Sequence, residues 1–281
     1  MKKTAVSRKQ RGFTLVELSV VLVVVGLLFA AVVKGQEVVD SAKSQKLIND
    51  IKNTEMLIQK YASIKSRMPG DCDADGVIDF PADVVSRLDT GNATRAAMYD
   101  YTTAQTTYAA VTPSSANMGC AQQTGVAYAE EEADTIGANT WINDLKLAGL
   151  VSDSVPNRTF AKQVNEDFMF VGSVVDTSPV STAAGAKYNA IIIQNVPQWM
   201  ARQVATAING TDAVANRGRV RQLTRDSANG TYAPTWDVID TTVALSSSAT
   251  TANMRDSMVS VVYFYDRIPA TGTGTAAVAP D

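Results

Sequence analysis

The 281-residue sequence contains no histidine. Histidine is the usual general base near neutral pH and the commonest protein ligand of zinc. Its absence excludes hydrolases built on a serine–histidine–carboxylate triad, and it excludes imidazole-based zinc sites. Hydrophobic residues make up 46% of the chain and charged residues 19%, a balance typical of globular proteins.

Acidic residues are absent from the N-terminus. Residues 1–12 contain five of the 25 basic residues and none of the 28 acidic ones. The rest of the chain therefore has 20 basic and 28 acidic residues, a formal charge of −8. Nucleic-acid binding depends largely on clustered Lys and Arg side chains that neutralise phosphates. We therefore expect no nucleic-acid partner.

One long apolar run follows the basic segment. Residues 13–33 form a stretch of 21 residues in which Glu17 is the one charged side chain. At about 1.5 Å per helical residue this run spans roughly 30 Å, the thickness of the hydrocarbon core of a bilayer. The basic residues before it predict a cytoplasmic N-terminus, a single pass through the membrane and a C-terminal part outside the cytoplasm.

Two simple interpretations of the run leave features unexplained. A secretory signal peptide would have a shorter apolar run, followed by a cleavage site with small residues. A plain signal anchor fits the length and the basic flank, but it gives no reason for Glu17. An acidic side chain inside a membrane span is costly unless it has a partner, so Glu17 indicates a function.

The segment RGFTLVE at residues 11–17 resembles the processing site of type IV prepilins and pseudopilins. The resemblance implies that a membrane-embedded prepilin peptidase cuts after Gly12 and that the new amino group of Phe13 is methylated. Glu17 then becomes the fifth residue. Its carboxylate would neutralise the Phe13 amine of a neighbouring subunit, since a charge pair in a low-dielectric environment offsets two isolated ions.

Three internal segments resemble a subgroup of this family. They are a Pro-Gly-Asp turn at residues 68–71, a tryptophan-containing helix at 141–150, and a late helix with a glycine turn between 196 and 221. At that glycine turn the family often has acidic residues, whereas this chain has Ala207 and Asn209.

The chain beyond the apolar run predicts an α+β fold. Leu47, Ile51, Ile58 and Tyr61 form one apolar stripe, and the pattern predicts a single helix over residues 14–64. Strands are predicted at 168–175, 188–194 and 258–265 from their β-branched and aromatic content. We expect the long N-terminal helix to pack on an antiparallel sheet in a pilin-like globular domain.

The patterns and the resemblance together imply five consecutive regions. These are a cleaved leader at 1–12, a transmembrane or filament-core helix at 13–33, the soluble half of that helix at 34–66, a globular domain at 67–268 and a flexible tail at 269–281.

Residues 71–79 read DCDADGVID, which fits the first part of a calcium-binding loop. Acidic residues occupy loop positions 1, 3, 5 and 9, glycine occupies position 6, and position 7 offers a carbonyl. The candidate ligands are therefore Asp71, Asp73, Asp75, Val77 and Asp79. The closing glutamate of such loops is replaced by Ala82, and Asp83 and Asp89 are the alternative closing ligands. A calcium site and a solvated Asp/Gly turn both remain open, although crowded carboxylates repel one another without a cation.

The sequence has two cysteines, Cys72 and Cys120. An even number in an exported domain predicts one disulfide, which would close a loop of roughly 50 residues. The alternative is two separate buried thiols.

Together these features predict a structural subunit rather than an enzyme. We expect a minor pilin or pseudopilin of a type IV pilus, type II secretion or DNA-uptake filament, ending in a cell-surface or periplasmic filament. Its expected partners are the prepilin peptidase, other pilin subunits and the assembly platform, with no required cofactor. The alternative is a filament-tip adhesin or calcium-dependent binding module, which the size of the soluble domain supports. Exposed aromatic residues such as Tyr99, Tyr101 and Tyr108 would serve either binding or simply packing.

Overall fold

The computed structural model describes residues 15–82, 101, 108–110, 121–123, 138–175, 186–223, 232, 236 and 258–269. The chain divides into two compact units, Met1–Lys43 and Ser44–Asp281. The helices are α1 (Leu15–Lys65), α2 (Thr140–Leu147), α3 (Asn157–Ala161) and α4 (Gln198–Asn209). The strands are β1 (Tyr108–Ala110), β2 (Ala121–Gln123), β3 (Met169–Val175), β4 (Lys187–Pro197), β5 (Val220–Leu223) and β6 (Met258–Phe264).

The second half of α1 packs its predicted stripe into the core. Its buried residues follow alternating steps of three and four, the spacing of one helix face, and they are Ser44, Leu47, Ile51, Thr54, Ile58 and Tyr61. The apolar members belong to the same core cluster as the strands. Between α1 and β6, the Tyr263 hydroxyl donates to Glu55 (2.8 Å) and accepts from Lys52 (2.5 Å). The long helix predicted over residues 14–64 is confirmed to within one residue.

Four antiparallel strands form the main sheet in the order β3-β4-β6-β5. β6 is buried from Val259 to Phe264, so both of its faces are covered. The three predicted strands correspond to β3, β4 and β6, which confirms the α+β fold with an antiparallel sheet. β5 was not predicted. Its Arg221 is fully buried and stacks on Phe264, with 5.3 Å from the guanidinium carbon to the ring centroid.

α2 is the tryptophan-containing helix predicted near residues 141–150. It buries Trp141 and ends at Leu147. Gly149, two residues later, has a φ of 70°, the left-handed conformation that glycine tolerates best. The Leu150 N–H donates to the Leu145 carbonyl (2.9 Å) and completes the cap. The Trp141 indole N–H donates to the hydroxyl of Tyr101 (3.3 Å).

A buried ion pair links the end of α1 to α2. The Arg67 guanidinium donates to Asp144 Oδ2 (2.9 Å), and the Gly70 N–H donates to the same oxygen (2.9 Å). The Asp144 side chain is 1% exposed and that of Arg67 is 11% exposed. Arg67 also donates to the Asp71 carbonyl (2.8 Å), so one carboxylate and one guanidinium fix the turn after α1.

The chain after this turn runs along the outer edge of β3. The Ser173 N–H donates to the Phe80 carbonyl (2.8 Å), and Pro81 forms a parallel bridge with Ser173. The neighbouring Gly172 has no room for a side chain. A Cβ there would lie 2.2 Å from the Phe80 oxygen and 2.8 Å from the Ala82 Cβ.

Substitution Gly172→Ala should therefore push the 80–82 segment away from β3. Overpacking of this kind costs about 1–3 kcal/mol of unfolding free energy, and the contact with backbone favours the upper end. Thermal melting of the full chain in mild detergent measures the loss. Gly35→Ala is the control, because that glycine lies in α1 with no atom within 4 Å of an added Cβ, and it should be neutral or slightly stabilising. Equal melting temperatures for Gly172→Ala and the unsubstituted chain would contradict the close approach.

Substitution Asp144→Ala should lower the unfolding free energy by about 3–5 kcal/mol, because it leaves the Arg67 charge buried without its carboxylate. The matched control is Asp212→Ala. Asp212 accepts from Arg202 (2.7 Å), but the two side chains are 34% and 51% exposed, so its loss should cost about 1 kcal/mol or less. Chemical denaturation of both variants measures the difference, and similar losses would refute a special role for the buried pair.

Candidate functional site

The first half of α1 has its apolar side chains on the outside. Every large apolar residue between Leu15 and Val33 is exposed, from 41% at Val25 to 85% at Leu15. Water-exposed protein surfaces rarely carry so large a continuous apolar patch. Among the described residues, α1 is the one helix long and apolar enough to cross a membrane. This segment therefore requires lipid or other apolar helices around it.

Glu17 lies in the first turn of α1 and is exposed together with its apolar neighbours. A negative charge at this end of a helix interacts favourably with the backbone dipoles, which supports helix formation there. The predicted cleavage residues, Gly12 and Phe13, lie outside the described residues. Processing after Gly12 and pairing of Glu17 with the Phe13 amine remain predictions.

The next charges along α1 are Lys34 and Glu37. They form an ion pair of 2.8 Å between side chains that are 77% and 60% exposed. Such a surface pair adds little stability. The pair marks the C-terminal limit of the apolar segment. The helix α1 itself continues without interruption to Lys65.

The acidic loop, residues 71–79, is the second candidate site. One carboxylate oxygen from each of Asp71, Asp73 and Asp79 lies within 4.8 Å of the other two. Asp71 is buried, Asp79 is half-buried and Asp73 is exposed. The cluster therefore extends from the protein interior to the solvent.

The loop curls around these three carboxylates. Each accepts a backbone N–H group: Asp71 from Gly76 (3.1 Å), Asp73 from Asp75 (3.1 Å) and Asp79 from Cys72 (2.7 Å). Gly76 has a φ of 88°, a left-handed conformation that glycine adopts without steric cost. Glycine at position 6 of the loop, as predicted from the sequence, thus allows the chain to turn there.

The Asp71 carboxylate is the most constrained member of the cluster. It is 0% exposed, and its Oδ1 atom has no hydrogen-bond partner among the described residues. Burial raises the pKa of Asp71. The N–H groups of Gly76 and Ala74 act in the opposite direction, and the negative charges of Asp75 and Asp73 add to the increase.

The other two candidate ligands, Asp75 and Val77, contact each other. Asp75 is not part of the cluster, and its Oδ1 accepts the Val77 N–H (2.7 Å) instead. Ala82, at the position of the usual closing glutamate, is fully buried. The structure thus brings together three of the four predicted carboxylates, and calcium binding remains a prediction.

A residue that sequence reasoning missed fixes this loop to the sheet. Asn189 of β4 accepts the Ile78 N–H at Oδ1 and donates from Nδ2 to the Gly76 carbonyl, both at 2.8 Å. Its side chain is buried. The signal was an amide residue next to the apolar run of a predicted strand, because a buried amide needs polar partners from another segment.

The predicted disulfide can be located only at one end. Cys72 is buried within the acidic loop region, whereas Cys120 lies outside the described residues. The pairing of the two cysteines remains a prediction.

Asn209 accounts for the glycine turn after α4. Its Oδ1 accepts the N–H groups of Arg219 (2.9 Å) and Val220 (3.1 Å), and its Nδ2 donates to the Val220 carbonyl (2.9 Å). Gly218 is required because an added Cβ would lie 2.6 Å from the Asn209 side chain. The amide therefore holds the turn by donating and accepting at once, which a carboxylate cannot do without a cation or proton.

One expectation about exposed aromatic residues was wrong. Tyr101 is buried, and its hydroxyl donates to the Met169 carbonyl (3.0 Å). Its ring lies 5.3 Å from those of Phe168 and Phe170. Tyr101 thus belongs to an aromatic cluster whose other members lie far along the chain, so the sequence around Tyr101 does not predict its burial. Tyr99 and the side chain of Tyr108 lie outside the described residues.

Residues 7–33 match the family model described as the prokaryotic N-terminal methylation motif. No curated protein and no solved structure matches the chain. The motif implies processing by a prepilin peptidase and assembly with other pilin subunits. With the exposed apolar helix it suggests anchoring in the inner membrane. The methylation motif at residues 7–33 thus supports a type IV pilin-like or pseudopilin subunit.

Proposed function

We propose that the chain is a minor pilin or pseudopilin of a type IV pilus, type II secretion or DNA-uptake filament. The observation that carries the proposal is the exposed apolar half of α1, which has Glu17 in its first turn and lies within the methylation motif at residues 7–33. In the membrane lipid surrounds this segment. In the filament the same surface packs against the equivalent helices of neighbouring subunits.

The charge of Glu17 explains why cleavage precedes assembly. A carboxylate in a low-dielectric environment is costly unless an opposite charge lies beside it. Cleavage after Gly12 creates a cationic amine on Phe13, four residues before Glu17. One subunit's Glu17 then binds the amine of the next subunit, and an uncleaved chain lacks that amine at the required place.

The same proposal gives the chain its route and its partners. The basic leader keeps the N-terminus in the cytoplasm, where the prepilin peptidase acts at the membrane. The globular domain lies in the periplasm. The assembly platform then moves the subunit from the inner membrane into a periplasmic or cell-surface filament.

An adhesin at the filament tip has less support. That alternative would use exposed aromatic residues for ligand contact, and Tyr101 is buried in the core instead. We therefore give preference to a subunit that lies within the filament. Immunogold labelling along filament shafts agrees with this preference, and labelling confined to the tips would favour the adhesin.

Substitution Glu17→Gln should leave the protein inserted in the inner membrane but reduce its incorporation into filaments by roughly tenfold or more. A hydrogen bond to a charged group contributes about 1.5–3 kcal/mol, and 1.4 kcal/mol corresponds to a factor of ten. The measurement compares the amount of protein in sheared filaments with the amount in membranes. Glu37→Gln is the matched control, because Glu37 lies on the same helix but pairs with Lys34 of its own chain. Normal incorporation of Glu17→Gln would refute the pairing mechanism.

The mature protein should begin at Phe13 and carry one methyl group on its amine. Mass spectrometry of the membrane-extracted chain measures both properties. Substitution Gly12→Val should preserve the leader because a branched side chain hinders an extended cleavage site, whereas Gly26→Val, within the apolar segment, should be cleaved normally. A mature chain that begins at another residue, or one whose Phe13 amine carries no methyl group, would contradict the proposed processing.

A further inference from the structure

The acidic loop concentrates negative charge without a basic side chain of its own. Residues 71–79 contain four aspartates and no Lys or Arg. The nearby Arg67 directs its guanidinium to the Asp144 carboxylate and to the carbonyls of Met68 and Asp71. The charge of Arg67 is thus already paired with Asp144, and the carboxylates of Asp71, Asp73 and Asp79 face one another within 4.8 Å.

A buried oxygen atom in this cluster is left without a hydrogen bond. Asp71 is 0% exposed, its Oδ2 accepts the Gly76 N–H, and its Oδ1 has no partner among the described residues. Burial of a carboxylate oxygen without a compensating partner is unfavourable. A cation bound between Asp71, Asp73 and Asp79 would supply the missing partner and would also relieve the repulsion.

The position of the loop is fixed by groups outside the cluster. Asn189 of β4 binds the loop through Ile78 and Gly76, and the Asp79 N–H donates to the Gly70 carbonyl (3.1 Å). These contacts position the backbone independently of any ion. The carboxylates are therefore held near one another in advance, which lowers the entropy lost on binding.

We propose that Asp71, Asp73 and Asp79 bind one calcium ion. Carboxylate oxygens favour a hard cation, and the absence of histidine from the sequence argues against zinc or copper. Calcium accepts irregular oxygen sets completed by carbonyls and water, whereas magnesium demands near-ideal octahedral geometry. Magnesium should therefore bind more weakly than calcium at this loop.

The ligand set indicates a weak site. Asp75 is turned to the Val77 N–H, and Ala82 replaces the closing acid, so three carboxylates remain among the residues that the structure describes. A site with fewer charged ligands binds calcium more weakly. Calcium-binding modules outside the cytoplasm have dissociation constants of about 0.1–1 mM. We expect a value in that range, and bound calcium would stabilise the junction between α1 and β3.

Calcium titration of the full chain in mild detergent, after treatment with a chelator, tests the proposal. Calcium chloride at about 10 mM should raise the melting temperature by roughly 4–8 °C, because a ligand at many times its dissociation constant stabilises the folded state. Calorimetry should show saturable binding to one site per chain. Sodium chloride at equal ionic strength should give no such rise, and magnesium chloride should give a smaller one.

Substitution Asp73→Asn separates ion binding from folding. Asp73 is exposed, so this variant should melt like the unsubstituted chain without calcium but lose at least half of the calcium-dependent rise. Asp212→Asn, an acid outside the loop, should keep the full rise, and Asp75→Asn should keep most of it. Three results would overturn the proposal: no calcium heat and no melting shift in the unsubstituted chain, an equal shift with magnesium, or an undiminished shift in Asp73→Asn. Each can occur while filament assembly through Glu17 proceeds normally.

Discussion

The buried contact between Asp144 and Arg67 determines how the long helix joins the globular domain. α1 ends at Lys65, and within five residues the chain has turned through Ser66 and Gly70, both of which have positive φ. The Asp144 carboxylate accepts from the Arg67 side chain and from the Gly70 backbone, so it stabilises both the charge and the turn. The acidic loop and the segment along β3 both begin from this fixed point, and their positions depend on it.

α1 serves two environments with one regular conformation. Its first half exposes apolar side chains throughout, while its second half exposes polar side chains and buries a single stripe. The difference lies entirely in the side chains, because the helical backbone satisfies its own hydrogen bonds in lipid as well as in water. One helical conformation therefore suits both apolar and aqueous surroundings.

Periodic features could be predicted from the sequence, and long-range polar contacts could not. The apolar stripe of α1 and the strands β3, β4 and β6 follow from local patterns, and the structure confirms them. β5 has the sequence VRQL, whose polar residues conceal a buried strand, because Arg221 finds its stacking partners far along the chain. Asp144 lies 77 residues from Arg67, and Asn189 lies 111 residues from Ile78, so no local pattern identifies these pairs. In the acidic loop the spacing predicted a convergence of carboxylates, but only the three-dimensional turn directs Asp75 to the backbone.

The turn after α4 differs from the acidic loop because pH and dissolved ions do not affect its hydrogen bonds. Asn209 holds that turn with an amide, which carries no charge and does not ionise at any physiological pH. Acidification, chelators and changes in salt therefore leave its bonds intact. The edge of the sheet beside this turn therefore needs no ion from the solution to keep its shape.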